Sequence, residues 1–266
     1  MLIVHIYHNN TGGKIANNPS KQNMADVSDS IQSVKSSIFN QSLTISIPAY
    51  NDSQSLVKLV HEAQTLCRQL NIDLVMLIVN DGSDDDTLKV ANNLAAEYGN
   101  IRVVNHERNL GFGESLKKVF MLPKTEWVLF LPGDNQFPVS NLLRFLDMRD
   151  DYDFILGFRK ERKDTVIRKL YSIFYNWMVS MLSGYKVRDV NSIVFFRSKI
   201  FNTIQLKGKS AFVHAEFFIR ASKAGFRITE VEVLHQEREF GFGSGGNLRV
   251  IAATVRELFL YIAGKI

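Results

Sequence analysis
Two hydrophobic rhythms alternate along the chain. Apolar-rich stretches at Leu43–Pro48, Asp73–Val79, Ile101–Val104, Trp127–Leu131 and Phe154–Gly157 are bounded by Pro, Gly, Asn and Asp, the pattern of strands buried in a parallel sheet. Between them apolar positions recur about every 3.6 residues, as on one face of a helix. Leu56, Leu59, Val60, Ala63, Leu66, Cys67 and Leu70 mark the first helix, with Ser53 as its candidate cap. Leu88, Val90, Ala91, Leu94 and Ala95 mark the second, capped by Asp84 or Asp85 and stopped at Gly99. Further helices are predicted at Glu114–Leu122, Val139–Met148, Val166–Leu182, His214–Ala224 and Leu248–Ile262, and further strands at Asp189–Ser198 and Arg227–Leu234. This alternation predicts an α/β fold: a doubly wound, mostly parallel sheet with helices on both faces, in a single Rossmann-like domain.

Residues 1–42 break the rhythm. After an apolar MLIVHIY they are rich in Asn and Ser, and they read as a loosely ordered extension. The domain is expected over 43–247, with 248–266 as an amphipathic helix packed on it. MLIVHIY is too short and lacks the basic flank of a secretory signal, and no stretch reaches the ~18 apolar residues of a membrane span.

Composition adds limits. The one cysteine, Cys67, excludes an internal disulfide and any multi-cysteine metal site, suits a reducing, cytoplasmic setting, and falls on an apolar helix face. A formal charge of +5 favours anionic partners. Nucleic acid is not expected among them, because no zinc finger or aromatic-studded basic sheet is present. Part of the charge is concentrated: Arg159, Lys160, Arg162, Lys163, Arg168 and Lys169 follow a predicted strand end. The helix after them is apolar nearly all round from Phe174 to Leu182, and Lys186 and Arg188 follow it. Burial, an interfacial position on a bilayer, or a homodimer seam all remain open for that helix.

Candidate chemistry gathers where predicted strands end. Trp127–Leu131 leads through Pro132 and Gly133 to Asp134, with Asn135 and Gln136 beside it. A carboxylate and neutral oxygen ligands thus stand at the edge of the sheet where open α/β folds bind ligands. The strand Asp73–Val79 runs into NDGSDDDT, in which Gly82 permits a tight turn.

Taken in order, PAYND (Pro48–Asp52), VNDGSDDDT (Val79–Thr87), NLGFG (Asn109–Gly113), LFLPGDNQF, GFRKER, RDVNS (Arg188–Ser192) and QEREFGFGS (Gln236–Ser244) resemble the inverting family-2 glycosyltransferases of GT-A fold. The likeness is greatest to the branch that makes polyprenyl-phosphate or dolichyl-phosphate sugars. It implies transfer of a hexosyl unit from a nucleotide-diphosphate sugar to a polyprenyl phosphate by a peripheral protein at the cytoplasmic face of a membrane. By the same resemblance Pro48, Tyr50, Asp52, Asp81 and Gly82 hold base and ribose. Asp134 and Gln136 hold Mg²⁺ or Mn²⁺, and Arg238, leading into a Gly-rich loop at Phe240–Asn247, holds the diphosphate. Arg159 and Arg162 receive the acceptor phosphate, and Asp189 and Asn191 lie near the sugar. Pro132 stands where the first Asp of the metal motif usually stands, which leaves a non-catalytic nucleotide-sugar binding module open. A saccharide or protein hydroxyl acceptor is also open; it would need a general base, for which Glu216 is the candidate.

Overall fold
A computed structural model describes residues 42–160, 166–238 and 248–266. The expectations for residues 1–41, for Arg162 and for the loop 240–247 lie outside the described residues. Strands β1 (Ser42–Ala49), β2 (Asp73–Asn80) and β3 (Ile101–Asn105) alternate with helices α1 (Ser53–Gln69), α2 (Thr87–Tyr98) and α3 (Phe112–Met121). There follow β4 (Trp127–Phe130), α4 (Asn141–Leu146), β5 (Phe154–Phe158), α5 (Val166–Ser183), β6 (Val194–Arg197), a 3-10 turn (Ser198–Asn202), α6 (Phe212–Lys223), β7 (Ile228–Glu232) and α7 (Leu248–Ile262). The seven strands form one sheet in the order β3-β2-β1-β4-β6-β5-β7. β6 pairs antiparallel with both β4 and β5, and the other pairings are parallel.

Successive strand side chains point to opposite faces, and the sheet accordingly divides two cores. Ile45, Ile47, Met76, Ile78, Trp127, Leu129, Ile155 and Phe195 pack under α1, α2 and α4. Leu77, Val79, Val128, Phe130, Phe154, Leu156, Val194 and Phe196 pack under α3, α5 and α6, with Leu258 of α7. β4 is buried on both faces, as its unbroken apolar run predicts. Trp127 is its anchor, stacked on Phe195 with ring centroids 4.5 Å apart and covered by the Arg197 guanidinium.

Local details depart from the sequence reading. α1 starts at Ser53, so its cap position is Asp52, whose carboxylate turns back to the Tyr50 amide at 3.1 Å instead of capping. Asp85, not Asp84, accepts the Thr87 amide at the start of α2, at 2.9 Å. The strand expected over Asp189–Ser198 shrinks to Val194–Arg197. Its first residues are held elsewhere: the Val190 amide donates to Asn176 Oδ1 on α5, and Ile193 O accepts from Gly157. Ser42, placed with the extension by the sequence reading, opens β1.

Candidate active site
Strand direction alone gathers the polar residues. β1, β2, β3, β4, β5 and β7 run parallel, so their carboxyl ends share one edge and deliver Asp52, Asp81, His106, Asp134, Arg159 and, after β7, Arg238 to it. β6 runs the other way and enters from that edge, so the segment before it brings Asp189 to the same place.

The centre is the turn after β4. Its backbone is pinned to β1 by Leu131 N donating to Ser46 O at 3.0 Å and Gly133 N donating to Pro48 O at 3.1 Å. A Cβ on Gly133 would lie 3.0 Å from Pro48 O and 3.2 Å from Asp52 Oδ2, so glycine lets this turn close onto Asp52. Asn135 adopts a left-handed φ of 56°. Segment 234–238 is sewn to the turn: Gln236 N donates to Gln136 O, Gln236 Nε2 to Asn135 O, and Leu234 N to Asn141 Oδ1. Those bonds carry the chain from β7 to Arg238.

Two carboxylates then face one guanidinium. Arg238 Nη2 donates to Asp52 Oδ1 at 2.8 Å, and Asp52 Oδ2 accepts the Tyr50 amide. Burial pushes the Asp52 carboxyl above its ordinary range, an effect opposed by the Tyr50 amide and Arg238 and reinforced by the charge of Asp134. Burial likewise raises Asp134, against the pull of the Gln136 amide, Arg238 and Arg159. Asp134 accepts the Gln136 amide at 3.1 Å and, among the described residues, forms no salt bridge. Among the described residues, Arg238 Nε is buried without a partner, and so are both polar side-chain atoms of Asn135. Buried donors and carboxylates left open in this way are costly in an isolated fold. A charged ligand would satisfy them.

No group of three or more His, Cys, Asp or Glu that could cage a metal occurs among the described residues. The donor set fits a Mg²⁺- or Mn²⁺-type ion held through one carboxylate, Asp134, with phosphate oxygens of a ligand completing its shell.

Beside the centre, β2 and β3 build a second pocket wall. Asp81 Oδ1 accepts from His106 Nδ1 at 2.7 Å and from the Leu110 amide at 3.0 Å. Gly82, at φ 64°, lets this turn press on the backbone of Arg108 and Asn109, which any Cβ would strike. Tyr50, 40% exposed, stands at the rim and donates to Asp84. On the other flank Arg159 pairs bidentately with Asp189, at 2.6 and 2.9 Å, which fixes the fork while both carboxylate oxygens are used. His214 on α6 lies close enough to feel both charges, yet burial dominates and lowers its pKa to about 4.

Glu216 does not join the site. It is fully buried, and its two oxygens take the Lys207 and Gly208 amides and Arg220 Nε at 2.7 to 3.1 Å, so the structure corrects the candidate base to a structural brace. Gln136 contributes backbone: its amide closes the Asp134 turn. Sequence reasoning missed His106, which belongs to no periodic or motif signal, and the bonding of Gln236, which it quoted only as the first residue of QEREFGFGS. Cys67 is a core thiol, its pKa pushed up to about 12 by burial.

A mostly parallel sheet carrying these carboxylates and guanidinium groups at one edge is the arrangement of the GT-A fold, and solved structures share that fold. Glucosyl-3-phosphoglycerate synthase from Mycobacterium tuberculosis, in complex with Mn²⁺, UDP and glucosyl-3-phosphoglycerate, superposes with a TM-score of 0.68 over 88% of this chain and 84% of that one, at 16% identity. The same enzyme with Mg²⁺ and UDP gives 0.66 over 88% of this chain and 83% of that one, at 14% identity. The model of glycosyl transferase family 2 matches residues 44–218, and the chain belongs to that family. Among curated relatives, the undecaprenyl-phosphate 4-deoxy-4-formamido-L-arabinose transferase of Klebsiella pneumoniae (strain 342) is 27% identical over 213 residues, 79% of this chain and 64% of that protein. Its counterpart in Serratia proteamaculans (strain 568) is 29% identical over 203 residues, 75% of this chain and 61% of that protein. The chain thus spans less than two thirds of the length of these relatives.

Proposed function
We propose that the chain transfers a sugar, with inversion, from a nucleoside diphosphate to a polyprenyl phosphate at a bilayer surface. The observation that carries this reading is the turn after β4: Asp134 is half-buried and accepts one amide, beside an Arg238 whose Nε finds no partner among the described residues. The Asp81–His106 wall and Tyr50 would hold the nucleoside. Arg238 would swing its free N–H donors onto the diphosphate, guanidinium being suited to paired phosphate oxygens. A divalent cation on Asp134 would supply Lewis-acid stabilisation of the departing diphosphate.

Arg159, locked in place by Asp189, would present its remaining donors to the acceptor phosphate. An acceptor oxygen then attacks C1 from the face opposite the diphosphate; the new C1–O bond forms as the old one breaks, and the nucleoside diphosphate leaves with the electron pair. A phosphomonoester, with a second pKa of about 6, is already anionic and needs no base. The internal bonding of Glu216 supports this acceptor over a hydroxyl. Relatives named for undecaprenyl-phosphate transfer support the same choice.

The test is a panel of nucleotide sugars, each with and without a short-chain polyprenyl phosphate, in Mg²⁺, Mn²⁺ or chelator, following label into the organic phase. Label should enter only with acceptor and metal both present. Transfer to a soluble hydroxyl acceptor instead, or donor binding without any turnover, would refute the proposal.

A further inference from the structure
Helix α5 has two apolar faces and only one is used. Tyr175 and Val179 are buried in the core, while Leu170, Ile173, Phe174, Trp177 and Met181 form a stripe on the opposite side, each between 49% and 67% exposed. The spacing of three, one, three and four residues keeps all five on one helical face. No other described helix exposes so continuous a row of large apolar side chains. A row of this kind marks a contact surface rather than ordinary scatter.

Its surroundings identify the partner. A groove of about 600 Å³ runs along the helix, lined by Ile173, Asn176 and Trp177 and by the basic residues Lys169, Lys186 and Arg188. α5 contains no acidic residue. Arg188 lies over the Phe158 ring at 4.2 Å and 3.5 Å from Glu230, the acidic group it meets, but stays 62% exposed while Glu230 is covered. Lys169 and Lys186 are exposed. An apolar stripe edged by cations is complementary to a lipid surface with anionic headgroups, because acyl chains take the stripe and phosphates take the rim. Among the described residues no helix is long and apolar enough to cross a membrane.

We infer that the outer face of α5 seats the protein on an anionic bilayer, with Leu170, Ile173, Phe174, Trp177 and Met181 in the acyl boundary and Lys169, Lys186 and Arg188 on phospholipid phosphates. The seat is joined to the site. Asn176 Nδ2 donates to Arg188 O at 2.8 Å and its Oδ1 accepts the Val190 amide at 3.1 Å, so α5 directly holds the segment that carries Asp189 and, through it, Arg159. The inference deepens the lipid-acceptor reading by supplying the surface from which such an acceptor arrives, and its test needs no acceptor.

The chain offers its own probe. It has two tryptophans, and Trp127 is fully buried, so a change in emission on binding reports Trp177. The purified chain is mixed with vesicles of phosphatidylcholine alone or of phosphatidylcholine with phosphatidylglycerol, both free of polyprenyl phosphate. Emission and co-sedimentation are then followed. Anionic vesicles should shift the emission to the blue and sediment the protein, with weaker binding in high salt. Ile173→Asp should reduce partitioning at least ten-fold, and Lys169→Glu with Lys186→Glu should abolish the preference for anionic vesicles. Failure of the wild-type chain to bind, or binding indifferent to Ile173→Asp, overturns the inference. So does a blue-shifted dimer in vesicle-free solution that Ile173→Asp dissociates, which would make the face a seam between copies. Transfer to a short-chain polyprenyl phosphate, measured without vesicles, reports the proposed activity separately, so either reading can fall alone.

Discussion

Two carboxylates shielded from water, one half-buried in the turn after β4 and one fully buried at the start of α6, are handled in opposite ways. Glu216 is completely enclosed and saturated by the chain's own donors: two amides of the loop before α6 and the Arg220 guanidinium. Nearby Glu257, reaching over from α7, braces the same loop through the amides of Lys209 and Ser210. Asp134 is half-buried, but it receives one amide from its own turn and is left with a raised pKa. A carboxylate whose lone pairs are filled from within serves the fold. One half-buried at a cost, next to a guanidinium nitrogen and an Asn135 amide that have no partner among the described residues, is available to a ligand.

Substitution of Asp134 is the strongest way to break this contrast. Asp134→Asn should lower kcat/KM at least 10³-fold, about 4 kcal/mol of transition-state stabilisation, as measured by label transfer to polyprenyl phosphate. Stability should move the other way. Because burial raises its folded pKa, ionised Asp134 destabilises the fold at pH values above that pKa, and the penalty fades as pH falls through it. The Asn variant should therefore melt at or above the wild-type temperature at neutral pH and gain nothing in acid. A melting temperature well below wild type would assign Asp134 to the structure instead.

Glu216→Gln should do the reverse. Two amides and a guanidinium would lose a charged acceptor, at a cost of roughly 3 kcal/mol, read as a lowered midpoint in urea. Turnover per folded molecule should stay within a few-fold of wild type; a steep loss of kcat in a stably folded variant would restore Glu216 as a base.

His214 sharpens the comparison through pH. Its folded pKa of about 4 lies below the ordinary value near 6.5. Stability is unaffected above pH ~6.5, is lost as pH falls toward 4 while the unfolded chain takes up a proton the fold refuses, and levels off below. The loss should reach roughly 3 kcal/mol, and His214→Gln should flatten that part of the stability curve.

The smallest effect is expected at the acceptor flank. Arg159→Lys keeps the charge but loses the fork on Asp189, so the KM for polyprenyl phosphate should rise about 10-fold with the donor KM unchanged, roughly 1.4 kcal/mol. A change confined to the donor would move Arg159 from the acceptor to the diphosphate.

How much of this the amino-acid order determined follows from the range of each signal. The alternating apolar periods are local, and they suffice for the strands and helices, for the double burial of β4, and for the parallel layering of β1 to β4, because each strand-helix unit returns the chain in the same direction. The turns holding Asp52, Asp81 and Asp134 were legible for the same reason: each follows directly on an apolar run. Which carboxylate is braced and which is left open depends on residues far apart in the chain, such as Arg238 meeting Asp52 across 186 positions. No period encodes such a meeting. The exposed side of α5 is likewise a tertiary outcome. A helix apolar on nearly every side has two faces to offer, and only the shape of the core decided that Tyr175 and Val179 would be buried and Trp177 left outside.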